Sequence, residues 1–190
     1  MTGAAEPSRC SWATSAPEYA AYHDEEWGTP LHGDDALFER LALEAFQSGL
    51  SWITILRKRP AFRAAFAGFA IDAVAVFTQD DEARLMADAR IVRNRAKISA
   101  AVRNARVARD LPKGLSELLW SFAPDGGRPR PATLAEVPAV TPESTAMAKE
   151  LKRRGFVFIG PTTAYALMQA TGMVDDHVAS CFRARGSATP

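Results

Sequence analysis

Segment after segment of this chain repeats its apolar residues at three- and four-residue spacing, and nowhere does it alternate apolar and polar residues for more than a few positions. That pattern leaves helices packed on helices as the way to bury a core, so the predicted class is all-α. In "DDALFERLALEAFQSG" (34–49), Leu37, Phe38, Leu41, Ala42 and Ala45 form one stripe. Asp34 or Asp35 is the expected N-cap, and Gly49 marks the end. Ser51 opens "SWITILRKR" (51–59), which is expected to stop before Pro60. Thr78 caps an acidic first turn, and 93–110, free of proline and glycine, reads as one long helix. Thr141-Pro142-Glu143 starts a helix that runs to Arg154. The short "GFVFIG" (155–160) then leads into a further helical pattern over 161–171, closed by Gly172. The clearest loop is "APDGGRPRPA" (123–132).

At 190 residues the chain is long enough for one domain with a sizeable core. The expected domain spans 9–185, as two helical lobes, with flexible tails at 1–8 and 186–190. No apolar run approaches the roughly 20 residues a bilayer crossing requires, and "MTGAAEPSR" lacks the order of a secretion signal, so the chain reads as cytosolic with no membrane partner. The net charge of +1 hides an asymmetry. Met1 to Ser48 holds nine acids and two bases, whereas Arg90 to Lys113 holds eight bases and one acid. A second basic group is Lys149, Lys152, Arg153 and Arg154. Each patch suits either a polyanion or a solvated helix face.

Four groups of residues carry chemistry. Cys10 and Cys181 are the only cysteines and, with His23 and His177, form a donor set suited to tetrahedral zinc. On a helix, His177 and Cys181 in "DDHVASC" (175–181) would share one face. The alternatives are ordinary core residues, or a disulfide, which a reducing compartment disfavours. Trp12, Tyr22, Trp27 and Trp52 are large aromatics suited either to stacking on a base or to core packing. Glu44 lies at the edge of a buried stripe, where a carboxylate either binds a cation or donor or reaches out to solvent. Finally, 152–172 is laid out as helix, hairpin, helix, with free N–H groups at the start of the second helix that could receive a phosphate oxygen.

As a collinear set, "RCSW" (9–12), "YHDEEWG" (22–28), "LEAFQSGLSWITIL" (43–56), "RNRAKI" (93–98), "LKRRGFVFIG" (151–160) and "DDHVASC" (175–181) resemble the 3-methyladenine DNA glycosylase I family of the helix-hairpin-helix superfamily. The resemblance covers roughly 9–182. It implies structural zinc held by Cys10, His23, His177 and Cys181, and a base pocket built from Glu44, Tyr22, Trp27 and Trp52 with Trp12 nearby. It implies that Leu50 enters the duplex where the damaged nucleotide has left the stack. A helix-hairpin-helix over about 142–172 would hold the DNA backbone through Gly155, Gly160 and Thr162. The implied partner is double-stranded DNA with alkylated bases, and the implied product is free 3-methyladenine, released by a monomer without strand cleavage. Two departures from the family pattern stand out. Ala45 and Phe46 replace the Gly and Gln that relatives often carry, and Asp175 takes the place of the superfamily's catalytic Asp, where this family commonly has Asn. Asp175 is expected either to cap a helix or to take part in catalysis.

Two other classes compete with this reading. A zinc-stabilised helical DNA-binding module without catalysis explains the basic helix and the hairpin equally well. A hydrolytic zinc enzyme requires an open metal position, which four protein ligands do not leave.

Overall fold

The structure, a computed structural model, describes residues 7–126 and 129–183. Among these there are nine α-helices and no strand: α1 (Pro17–Glu25), α2 (Asp34–Gln47), α3 (Trp52–Ala65), α4 (Ile71–Ala75), α5 (Gln79–Ala87), α6 (Arg95–Arg109), α7 (Gly114–Trp120), α8 (Pro142–Arg154) and α9 (Pro161–Ala170). No helix among them is long and apolar enough to cross a membrane. Most of the expected tails lie outside the described residues. Ser8 does not, and its carbonyl accepts the Phe182 N–H at 2.8 Å, joining the two ends of the described chain.

The caps that depend only on neighbouring residues are found where the sequence places them. Thr78 and Thr141 each form a capping box, and Gly155 ends α8 in the left-handed conformation at φ 103°. Two expectations fail for tertiary reasons. The α2 N-cap is Gly33, not Asp34 or Asp35. Those two acids instead accept backbone N–H bonds in the first turns of other helices, Asp34 from Ser116 of α7 and Asp35 from Ile71 of α4, both at 2.8 Å. Helix α3 also does not stop before Pro60 but continues to Ala65. An interior proline costs about 3 kcal/mol, and the turns beyond it bury Phe62, Ala65 and Phe66. Each buried Phe contributes about 2–3 kcal/mol, so the core carries the helix through.

Helix α2 runs through the middle of the molecule and packs against α3, α6, α7 and α9. Every residue from Arg40 to Phe46 is buried, so the expected stripe becomes burial on nearly all sides. Phe46 packs at an angle against Phe62 and edge-on to Phe66 (ring centroids 4.7 and 5.8 Å apart), placing this departure from the family pattern in the aromatic core.

The long basic helix α6 forms as expected, yet several of its polar side chains are occupied within the fold. Lys97 donates to the carbonyls of Phe46 and Ser48 at the end of α2. Arg106 binds those of Ala75 and Phe77 beyond α4, and Arg103 that of Gly155. Cations near helix C-termini satisfy carbonyls that have no partner within the helix. Arg93 and Arg95 at its start remain exposed.

The buried Asn104 amide pairs with both backbone groups of Val157, at 2.9 and 3.0 Å, and so braces the 155–160 turn. Asn104→Ala should remove two bonds worth about 1 kcal/mol each. Equilibrium denaturation should show a loss of about 2 kcal/mol, with faster amide exchange confined to 155–160. An unchanged exchange rate there would show that Asn104 does not hold the turn.

Candidate active site and metal centre

A cleft of about 570 Å³ opens between α1, the α2–α3 junction, α9 and the segment after it. Helical spacing brings its walls together. On α1, Tyr22 faces inward one turn from the pair Glu25–Glu26. On α2, Glu44 projects one turn beyond Arg40. Tyr22, Trp12, Trp27 and Trp52 all line the cleft with Glu44, so the predicted pocket set is assembled in one place. The aromatic rings hold one another. Trp12 meets Trp27 edge-on at 5.2 Å, and Tyr22 lies 5.4 Å from Trp52. Neither Ala45 nor Phe46 reaches the cleft.

Glu44 is buried, and its carboxylate has no hydrogen-bond partner among the described residues. Burial raises its pKa from 4.5 to about 7, opposed by the charge of Arg40. The Trp52 indole N–H is likewise buried with no acceptor. A buried carboxylate and aromatic faces, brought together in one cleft, suit a flat cation that carries a hydrogen-bond donor.

Several lining residues were not singled out from the sequence: Tyr19, Gln47, Ser51, Leu134, Gln169 and Asp176. Asp176 is the acid of "DDHVASC" that borders the cleft, where it accepts bonds from Tyr165 and Gln169. Asp175 is turned away, with Arg130 donating to it at 3.1 and 3.2 Å, and it accepts the His177 N–H in a local turn. No helix follows Asp175, so the helix-cap expectation fails, and its pairing with Arg130 gives no support to catalysis. An Asx turn two residues long satisfies the same polar group without a helix.

His177 and Cys181 are therefore not on a helix either. They lie in an irregular segment closed by a Cys181 N–H to Val178 C=O turn at 2.8 Å. They still converge with Cys10 and His23. The four donor atoms lie within 4.8 Å of one another, and all four residues are buried. Cys10 and Cys181 are both free thiols. Sulfur–nitrogen separations are 3.3 Å (Cys181–His23), 3.6 Å (Cys181–His177) and 3.8 Å (Cys10–His177). A tetrahedron with metal–ligand lengths of zinc has S···N edges of about 3.5 Å, so the donor set fits. The outer shell fits too. His23 places its other ring nitrogen 2.8 Å from Asp24, which Arg9 holds with two guanidinium nitrogens. His177 has its second nitrogen 3.3 Å from the Trp27 carbonyl. Gly28 (φ 75°) lets the chain pass this ring, since a Cβ there would sit 2.8 Å from the imidazole. Trp27 packs on His177 at 4.7 Å, so the donor cluster backs one wall of the cleft.

Of the residues predicted to meet DNA, Leu50 is 41% exposed on the α2–α3 turn, between cleft residues Gln47 and Ser51. Gly155, Gly160 and Thr162 sit apart from the cleft on the α8–α9 turn. Gly160 is the N-cap of α9 and offers no side chain to its first N–H groups, and Thr162 is exposed.

The methyladenine glycosylase family, compared as a sequence model, matches residues 12–184. DNA-3-methyladenine glycosylase 1 of Escherichia coli K12 is 44% identical over 177 residues, spanning 91% of this chain and 95% of that protein. DNA-3-methyladenine glycosylase of Haemophilus influenzae is 42% identical over 92% and 96%. A crystal structure of 3-methyladenine DNA glycosylase I superposes with a TM-score of 0.89 at 42% identity, covering 93% of this chain and 99% of the other. A variant of such an enzyme in complex with 3-methyladenine superposes at 0.86 with 36% identity, over 91% and 95%. Matching sequence, fold and length over nearly the whole chain, this protein belongs to the methyladenine glycosylase family.

Proposed function

We propose that the cleft receives 3-methyladenine flipped out of alkylated duplex DNA and that the protein hydrolyses its N-glycosidic bond. The observation that carries this is Glu44: a buried carboxylate, without a hydrogen-bond partner among the described residues, in a cavity walled by Tyr22, Trp12, Trp27 and Trp52. Methylation makes the base in DNA a cation. Its ring can lie against aromatic faces for about 0.5–2 kcal/mol per contact. Its exocyclic amine can donate to Glu44, whereas guanine presents a carbonyl at that position. An unmodified adenine brings no charge to offset the cost of ionising Glu44, so the same group also discriminates against undamaged DNA.

The cationic base is already a good leaving group. Water adds to C1′ as the C1′–N9 bond breaks through an oxocarbenium-like transition state. The bonding pair goes to N9, and water gives up a proton, leaving neutral 3-methyladenine and an abasic sugar. No lysine lines the cleft among the described residues, which supports hydrolysis without a Schiff base. Leu50, exposed at the rim, would fill the space left by the flipped nucleotide. The α8–α9 turn, with Gly155 and Gly160, and Thr162 in the first turn of α9 would hold a phosphate at the α9 N-terminus. Cys10, His23, His177 and Cys181 would hold one structural zinc, whose contribution is to fix the chain ends and the Trp12–Trp27 wall. A monomer suffices for these roles.

Incubation with methylated duplex DNA should release free 3-methyladenine, and DNA carrying a preformed abasic site should stay uncut. Retention of DNA without base release would favour the non-catalytic binding module. Nicking above that of heat-inactivated protein would overturn the monofunctional mechanism.

A further inference from the structure

Behind the Glu44 wall lies a chain of ion pairs that reaches one pocket residue, Tyr22. Arg40 is 8% exposed. Its Nη1 donates to the Tyr22 hydroxyl and its Nη2 to Glu26, each at 3.0 Å. Glu26 is in turn gripped by both terminal nitrogens of Arg59, at 2.6 and 2.7 Å. Three helices thus present charges in alternating order: Arg59 of α3, Glu26 at the end of α1, then Arg40 of α2. The order continues into the cleft through neutral Tyr22 to Glu44, one helical turn from Arg40.

We propose that Arg40 is a positioning residue of the base pocket: it fixes the Tyr22 hydroxyl from behind and supplies the positive charge that faces Glu44 from the protein side. The inference rests on the glycosylase reading and refines it. Because Tyr22 accepts from Arg40, its own O–H proton points away from that guanidinium, and Tyr22 lines the cleft. The guanidinium also lies 5.3 Å from the Tyr22 ring centroid, so it limits both ends of that side chain's movement.

The surroundings of Glu44 single out Arg40. The titratable groups that line the cleft with Glu44 are Tyr19 and Tyr22 of α1 and Asp176 beyond α9; behind them lie Arg40 of α2, Glu26 at the end of α1 and Arg59 of α3, with Lys97 of α6 bound at the end of α2. Arg59 is engaged by Glu26, and Lys97 by the carbonyls of Phe46 and Ser48. Burial raises the Glu44 carboxyl, and Arg40 is the charge that opposes it. Arg40 therefore favours ionisation before the cationic base arrives, while Glu26 tempers Arg40.

The test is the pH dependence of kcat/KM for 3-methyladenine release, for the natural protein, Arg40→Met, Arg40→Lys and Glu26→Gln on one DNA substrate. Titration of the substrate is common to all four and cancels. Arg40→Met should move the acid-limb midpoint up by about one pH unit, and Arg40→Lys should largely restore it. Glu26→Gln, which leaves Arg40 less neutralised, should move it down. A purely structural cross-link predicts loss of activity and melting temperature in both Arg40→Met and Glu26→Gln with no opposed shift, and that result overturns the proposal. If Arg40→Met does not fold, an unshifted or raised midpoint in Glu26→Gln overturns it alone. Absence of base release by the natural protein would instead count against the glycosylase reading.

Discussion

Glu44→Gln should lower 3-methyladenine excision on the order of 100-fold while making the protein more stable above neutral pH. The activity loss follows from replacing a charged acceptor facing a cationic base with a neutral amide, an exchange worth about 2–3 kcal/mol in a site shielded from water. The stability gain follows from linkage. Glu44's carboxyl is raised from 4.5 to about 7 in the folded protein, chiefly by burial. Between those values the native state binds more protons than the unfolded chain, so stability falls as pH rises through that window. Above pH 7 the penalty is fully present, on the order of 3 kcal/mol. Glutamine carries no such penalty. The melting temperature of Glu44→Gln relative to the parent should be near parity at pH 4.5 and roughly 8 °C higher at pH 8. Taking the difference between two proteins removes the pH dependence of the Cys and His residues, which is common to both. Excision at the parental rate would remove Glu44 from the reaction, and a pH-independent difference in melting temperature would show that its carboxylate is not strained by burial.

The second large effect concerns the donor cluster. On the proposed zinc assignment, Cys181→Ser should reduce bound zinc from about one per chain to a small fraction. It should also destabilise the protein by about 4 kcal/mol, in the upper range for single substitutions. For a chain of this size that lowers the melting temperature by on the order of 10 °C. Because Trp27 packs on His177 and Trp12 on Trp27, tryptophan fluorescence should change with the metal. Chelation of the natural protein should reproduce the same change. Full zinc content and parental stability in Cys181→Ser would refute the assignment. Asp24→Asn gives a graded version, since Asp24 orients the His23 ring and losing such a partner typically weakens metal binding by about 10- to 100-fold.

These outcomes depend on features of unequal visibility in the chain. Thr78 and Thr141 were readable as caps because the N–H each accepts lies only three residues on, and local chemistry decides such bonds. Asp34 and Asp35 carry the same signal, yet their partners are 82 and 36 residues away. A capping carboxylate has no preference for its own helix over another that packs within reach. Pro60 was misleading for a related reason, because a helix-breaking residue is overruled when the turns beyond it belong to the core. The basic segment 90–113 suited either a polyanion surface or a solvated helix face, but Lys97, Arg103 and Arg106 bind carbonyls within the fold. Charge can be counted from composition, but which charges remain outside cannot.

By itself the sequence determined the all-helical class and the family, and it named the donor and aromatic residues that the fold brings together. Periodicity, caps and donor types are properties of residues near one another or of their identities. Only the tertiary structure decided the geometry of use. It brought His177 and Cys181 together through an irregular turn, aimed Asp176 instead of Asp175 at the cleft, and buried Arg40 between Tyr22 and Glu26. Each of these depends on which helices meet and how closely. Hydrogen bonds and charges act over a few ångströms of space, whatever number of residues of chain lies between them.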